Sequence, residues 1–216
     1  VSRMVILENT HNRCGGVVLS TEYTTAVSEL AREKQLHLHM DGARIFNAAA
    51  YLEKSAQELV NGAQSVTFCL SKGLCAPVGS VLCGSRDFIT RARRLRKMLG
   101  GGMRQAGILA AAGIVAVEKM AKRLGEDHAR ATRLAEGLAL IAGIRFEMGM
   151  PQTNMVFPTL PVADRDGTVS VVKKLAERGV KVGIVGDKSL RLVTHYWVTD
   201  EDVAYTIGCF RDVLGG

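Results

Sequence analysis

Residues Ser65–Gly84 read SVTFCLSKGLCAPVGSVLCG, an apolar, partly β-branched run that breaks at Lys72-Gly73, turns through Pro77 and Gly79, and resumes as a second apolar run. The pattern predicts two buried strands, 64–70 and 79–83, on either side of a glycine-punctuated turn. Lys72 is flanked by Phe68, Cys69 and Leu70 on one side and by Leu74, Pro77 and Val78 on the other. Such surroundings predict a partly desolvated amine, with lowered proton affinity and a lone pair available to a carbonyl carbon. Upstream, Leu36–Arg44 reads LHLHMDGAR. Alternating apolar residues predict a strand whose carboxyl end presents Asp41, with Gly42 and Arg44 following.

A carboxylate from one strand end and a lysine from another are the pair that a pyridoxal phosphate site requires. The acid keeps the pyridine nitrogen protonated and the lysine carries the cofactor covalently. In open α/β sheets ligands bind outside the carboxyl ends of strands, where both residues are expected. Each residue also has a plainer reading. Asp-Gly is a common turn, and a lysine can be a structural partner of a carboxylate.

Five stretches sharpen the assignment: LENTHN at 7–12, HMDGARIFNA at 39–48, CLSKGLCAPVGS at 69–80, RKMLGGGMRQAGILAAAG at 96–113 and RLVTH at 191–195. In this order they resemble the threonine aldolases, and the likeness covers nearly the whole chain, weakening between 124 and 181. The resemblance implies a fold-type I pyridoxal phosphate enzyme of α/β class. The expected architecture is part of a large domain with a parallel or mixed sheet, plus a small α+β C-terminal domain. It implies aldol cleavage of L-threonine, L-allo-threonine and related β-hydroxy-α-amino acids to glycine and an aldehyde, in a homodimer or homotetramer. Carried over residue by residue, it makes Lys72 the cofactor-bearing lysine and Asp41 the partner of the pyridine nitrogen. Arg44 falls near the substrate carboxylate or the ring oxygen, and Ser71 and Arg104 near the phosphate; His11, in the polar loop after the first strand, is expected beside the cofactor by its position. Arg191 becomes the clamp for the substrate α-carboxylate, a role suited to a planar, bidentate donor. The family's Gly-Thr phosphate loop and two site histidines have no counterpart in these residues. The chain is therefore expected to be a fragment or truncated form that alone binds cofactor weakly. Two alternatives stay open: another fold-type I lyase or hydroxymethyltransferase, and a catalytically inactive interaction module.

Composition narrows the partners. The chain has 216 residues and a net charge of +7. Nearly all of the excess comes from Arg86, Arg91, Arg93, Arg94, Arg96, Lys97 and Arg104, opposed only by Asp87 within that segment. With Phe88 as its single aromatic and no recognition motif, the segment reads as a solvated helix face turned toward a phosphate or a neighbouring subunit, and not as a nucleic-acid site. No apolar run is long enough to span a membrane. The five cysteines form no C-x-x-C pair. They are expected to be buried free thiols in a reducing compartment, cytoplasm or mitochondrion, without a metal.

The domain change is expected at 123/124, giving a large domain over 1–123 and a small one over 124–216. The first part reads as strand 3–7, helix 21–34, strand 36–41, helices 45–52 and 55–61, the two strands around Lys72 and a basic helix 86–98 ended by Gly100-Gly101-Gly102. Long helices are then predicted at 108–124 and 127–141, interrupted near Gly125. Strands 145–148 and 154–160, helix 168–178, strands 180–185 and 190–195 and helix 200–214 complete the small domain, with an antiparallel sheet.

Overall fold

The computed structural model describes residues 1–215. They form two compact units: 1–10 together with 18–124, and 11–17 together with 125–216. Against the boundary expected from the sequence, Leu124 packs in the first unit, and the short segment 11–17 groups with the second.

The first unit is built on a four-stranded mixed sheet in the order β1-β2-β3-β4: β1 (Met4–Glu8), β2 (His37–Asp41), β3 (Ser65–Cys69) and β4 (Ser80–Gly84). The first three strands are parallel and β4 returns antiparallel to β3. Parallel pairing requires crossovers, supplied by α1 (Thr21–Glu33) and by α2 (Ile45–Leu52) with α3 (Ala56–Leu59). The helix starts obey local chemistry. Ser20 caps α1 by accepting from the Tyr23 N–H, and Ser55 with Glu58 forms a reciprocal capping box on α3. One sheet face buries Leu38 and Met40, while Ile45, Ala48, Ala49 and Leu59 cluster with Phe46 and Phe68. The two phenylalanine rings meet edge to face at 5.3 Å.

The strands around Lys72 are less buried than the apolar runs predict. β3 is half-buried beyond Ser65, and β4 exposes every residue except Val81. The reason is position: β4 is the sheet edge, and strands read as buried only where both faces are covered. The cysteines follow the same logic. All five are free thiols, but only Cys209 is buried, while Cys14, Cys75 and Cys83 are exposed.

Beyond β4, α4 (Arg86–Met98) is the basic helix, capped by Ser85 and with no buried residue. A connection over 99–106 leads to α5 (Gly107–Glu118), followed by a 3-10 turn over Met120–Arg123. In the second unit α6 (Leu124–Ala139) runs through Gly125 without the predicted interruption. Ala131, Leu134, Ala135 and Leu138 recur on one face of it, each no more than 4% exposed, and that packing outweighs the local cost of one glycine. The small antiparallel sheet has the order β5-β7-β6, with β5 (Met155–Val156), β6 (Gly183–Ile184) and β7 (Leu190–Val193). The predicted strand 145–148 is reduced to a single bridge, Arg145 to Thr159. Helices α7 (Arg165–Glu177) and α8 (Asp200–Leu214) complete the unit. Leu175, Leu190 and Phe210 are fully buried in its core, each burial contributing about 2–3 kcal/mol. Asp200 joins α8 to α6 through Arg130 and Arg133, whose hydrogen bonds, led by that of Arg133, hold its carboxyl below the usual range. Among the described residues no helix is long and apolar enough to cross a membrane.

Candidate active site

β2 and β3 end side by side. Asp41 is in register with Thr67, and the Gly42 N–H donates to the Thr67 carbonyl at 2.7 Å. A Cβ on Gly42 would lie 2.8 Å from that carbonyl oxygen, so only glycine allows the chain to turn this tightly against β3. The turn orients Asp41, whose Oδ1 accepts from the Ala43 N–H at 3.0 Å. Asp41 is half-buried and shares its sheet face with His39 and Thr67, opposite to the buried Met40. His39 lies between two hydroxyls, with Ser65 Oγ 2.7 Å from Nδ1 and Thr67 Oγ1 3.5 Å from Nε2.

Lys72 belongs to a loop closed at its base where the Leu70 N–H donates to the Gly79 carbonyl at 2.9 Å. A second hydrogen bond, Cys75 N–H to Lys72 carbonyl at 2.9 Å, forms the turn that carries the lysine. Leu74 and Ala76 anchor this loop in a cluster with Ala116 and Leu124. Here the desolvation expected of Lys72 is not found: Ser71 and Lys72 are both exposed. Sequence neighbours in a tight turn point in different directions, so the apolar flanks pack inward without surrounding the amine. Gly73 abuts Asn47, a buried amide on α2 that sequence reasoning passed over.

The first unit therefore brings Asp41, Arg44, Ser71 and Lys72 to the carboxyl ends of β2 and β3. Arg44 is half-buried at the N-cap position of α2, where it makes no side-chain cap. Arg104 is exposed on the connection between α4 and α5. The other two candidates belong to the second unit. His11 is half-buried and its Nδ1 accepts from the Arg13 N–H at 3.2 Å. Leu190 and Leu192 of β7 are buried, and Arg191 takes the opposite face, where its Nη1 donates to Asn12 Oδ1 at 2.7 Å. Thr194, at the strand end, is buried and donates to the Asp127 carbonyl at 2.6 Å.

Sequence reasoning also missed Asn9. It is fully buried, and its side-chain amide bonds Leu19 in both directions at 3.1 Å, closing the loop that follows β1. Its only signal was a strand-end asparagine in a loop of turn formers. Among the described residues no group of three or more His, Cys, Asp or Glu is arranged to hold a metal ion.

Comparison with known proteins gives concordant results. The family model described as beta-eliminating lyase matches residues 1–161. The low-specificity L-threonine aldolase 1 of Arabidopsis thaliana is 44% identical over 213 residues, covering 99% of this chain and 60% of its own length. Among solved structures, a threonine aldolase of Leishmania major has a TM-score of 0.79 at 18% identity, covering 98% of this chain and 61% of that one. A chain described as SPT with PLP has a TM-score of 0.75 at 17% identity, covering 98% and 55%. At these identities the two solved chains share the fold with this one. The chain spans about three-fifths of the length of the relatives it matches.

Proposed function

The chain belongs to the beta-eliminating lyase family, and on that premise we propose that it carries a large part of a pyridoxal phosphate-dependent threonine aldolase. The substrate class is β-hydroxy-α-amino acids, with L-threonine and L-allo-threonine split to glycine and acetaldehyde. The observation that carries this reading is the presence of Asp41 and Lys72 at the ends of neighbouring strands, within the region that the family model matches.

The residues present fit the cofactor. Asp41 offers a carboxylate with one oxygen tied to its own turn, and Lys72 offers an exposed amine on a loop anchored from below. When bound, pyridoxal phosphate supplies an electron sink for the pair left on Cα. Asp41 holds the proton on the pyridine nitrogen, which keeps that sink effective. Lys72 would hold the cofactor through its Nζ, and the same amine is the group placed to move a proton at the substrate. Ser71 and Arg104 are the phosphate contacts, with Arg44 and His11 as further neighbours of the cofactor. Arg191 takes the substrate α-carboxylate in a planar, bidentate grip. Fixing that group selects which bond to Cα is aligned for cleavage, and so directs the reaction to Cα–Cβ. We place the enzyme in cytoplasm or mitochondrion, without nucleic-acid or membrane partners.

The test is chemical. A polypeptide containing this sequence, supplied with pyridoxal phosphate, is expected to release acetaldehyde from L-threonine. Pyruvate from β-chloroalanine without acetaldehyde from threonine would favour an eliminating lyase instead. Absence of any cofactor absorbance near ~420 nm would favour a non-catalytic module.

Self-association is part of the reading, as a homodimer or homotetramer. α5 is apolar on all sides, yet Ile108 is 83% exposed and Ile114 57%. Such helices are normally buried. Leu95 and Met98 on α4, and Leu99 just beyond its end, add exposed apolar surface next to the cations of Arg96–Gln105. Light scattering is expected to give at least a dimer, and Leu99→Glu with Ile108→Glu is expected to reduce it to a monomer. A wild-type monomer at high concentration with cofactor present would contradict this.

A further inference from the structure

His39 stands on β2 two residues before Asp41, on the same face of the sheet, and both of its ring nitrogens meet hydroxyls of β3: Ser65 Oγ lies 2.7 Å from Nδ1 and Thr67 Oγ1 3.5 Å from Nε2. We propose that His39 is a positioning residue for Asp41, acting through Thr67: it accepts the Ser65 proton at Nδ1, donates Nε2–H to the Thr67 oxygen, and so turns the Thr67 hydroxyl proton toward the Asp41 carboxylate. This rests on the reading of Asp41 as the partner of the pyridine nitrogen.

Three observations support the inference. First, His39 is in register with Ser65 and Asp41 with Thr67. Neighbouring strands run about 4.8 Å apart, so these four side chains form one block on the face that carries the candidate site, and Thr67 is adjacent to both His39 and Asp41. Second, the two contacts of the imidazole differ in kind. Ser65 is only 8% exposed, and its short bond fixes the ring, whereas the longer contact to Thr67 leaves room to tighten when a ligand arrives. Third, the opposite neighbours on β1 are Ile6, in register with His39, and Glu8, in register with Asp41. Ile6 has no polar group and a carboxylate offers acceptors, so on this face the strand residue able to donate to Asp41 is Thr67.

A hydroxyl has one proton and two lone pairs. With Nε2 protonated, Thr67 accepts from the imidazole and keeps its own proton for Asp41. With Nε2 bare, Thr67 would give that proton to the imidazole and present only lone pairs to the carboxylate. The tautomer of His39 therefore decides whether Thr67 attracts or repels its neighbour, and the bond to Ser65 selects the tautomer. Asp41 Oδ1 already accepts from the Ala43 N–H at 3.0 Å. A second donor from β3 fixes the plane of the carboxylate, and a fixed plane aims its free lone pair at the ring nitrogen before the cofactor arrives.

The first measurement needs no cofactor. In the imidazole nitrogen spectrum of the full chain, with His39 assigned by its loss in His39→Gln, Nε2 is expected to carry the proton and Nδ1 to be bare. The opposite tautomer would overturn the proposal. The second measurement uses the full chain saturated with pyridoxal phosphate labelled with ¹⁵N in the ring, whose nitrogen signal is expected at the protonated position in the native protein. Thr67→Val, which removes the hydroxyl and keeps the shape, and His39→Phe are both expected to shift that signal toward the unprotonated position. His39→Gln, whose amide reaches the place of Nε2, is expected to keep most of it. A merely structural His39 would lower the melting temperature in His39→Phe and leave the ring-nitrogen signal unmoved there and in Thr67→Val. That result, alongside a shift in Asp41→Asn, would overturn the inference and leave the role of Asp41 standing. An unmoved signal in Asp41→Asn would instead overturn the reading of Asp41 and the inference with it. If His39→Phe does not fold, Thr67→Val decides the matter by itself.

Discussion

Lys72→Ala is expected to abolish covalent retention of pyridoxal phosphate and to lower threonine cleavage by at least ~10³-fold. The argument is local. The loop from Leu70 to Gly79 is closed by its own backbone hydrogen bonds and anchored by Leu74 and Ala76, so the lysine can be removed without disturbing what supports it. The variant should fold, and a loss of cofactor would then report on the amine itself. Borohydride reduction fixes an amine-bound aldehyde irreversibly, and peptide mapping of the reduced protein should find the label on Lys72. Label on Lys97 or Lys188 would refute the assignment, because neither lies at a strand end beside Asp41.

The second large effect is expected of Asp41→Asn. Cofactor should remain bound through Lys72, while kcat falls by ~10³-fold or more, because an amide cannot stabilise a proton on the pyridine nitrogen as a carboxylate does. The geometry makes the substitution conservative for the fold. One side-chain oxygen accepts from the Ala43 N–H, a bond that an asparagine carbonyl can also accept. The other position would then carry an NH₂ group, a donor facing a nitrogen that itself needs to donate. Occupancy measured by absorbance and turnover measured as acetaldehyde release should therefore separate. Full occupancy with unchanged turnover would exclude the role given to Asp41.

Much of this protein was legible in its residues, for identifiable reasons. Regular helices and their starts depend on short-range chemistry. The bounds of α2 and α4 coincide with the apolar and basic periodicities, and Ser20, Ser55 and Ser85 cap the helices that follow them. The parallel succession of β1, β2 and β3 follows from alternating strands and helices. Asp41 and Lys72 stood out as candidates because glycines mark the turns that follow β2 and β3.

What the sequence could not determine depends on which faces are covered. Apolar flanks suggested a desolvated Lys72, but whether Leu74 packs beside the amine or away from it depends on Ala116 and Leu124, far along the chain. The strands read as buried around Lys72 include β4, an exposed edge, because burial depends on neighbours and not on a strand's own residues. Predicted strands at 145–148 and 180–185 shrank to a bridge and to two paired residues, since pairing requires a partner in register. The pairing of Asn12 with Arg191 was equally invisible. Local rules act over a few residues, whereas the assignment of 11–17 to the second unit results from glycines packing against Met148 and Met155, contacts that exist only once the chain has folded.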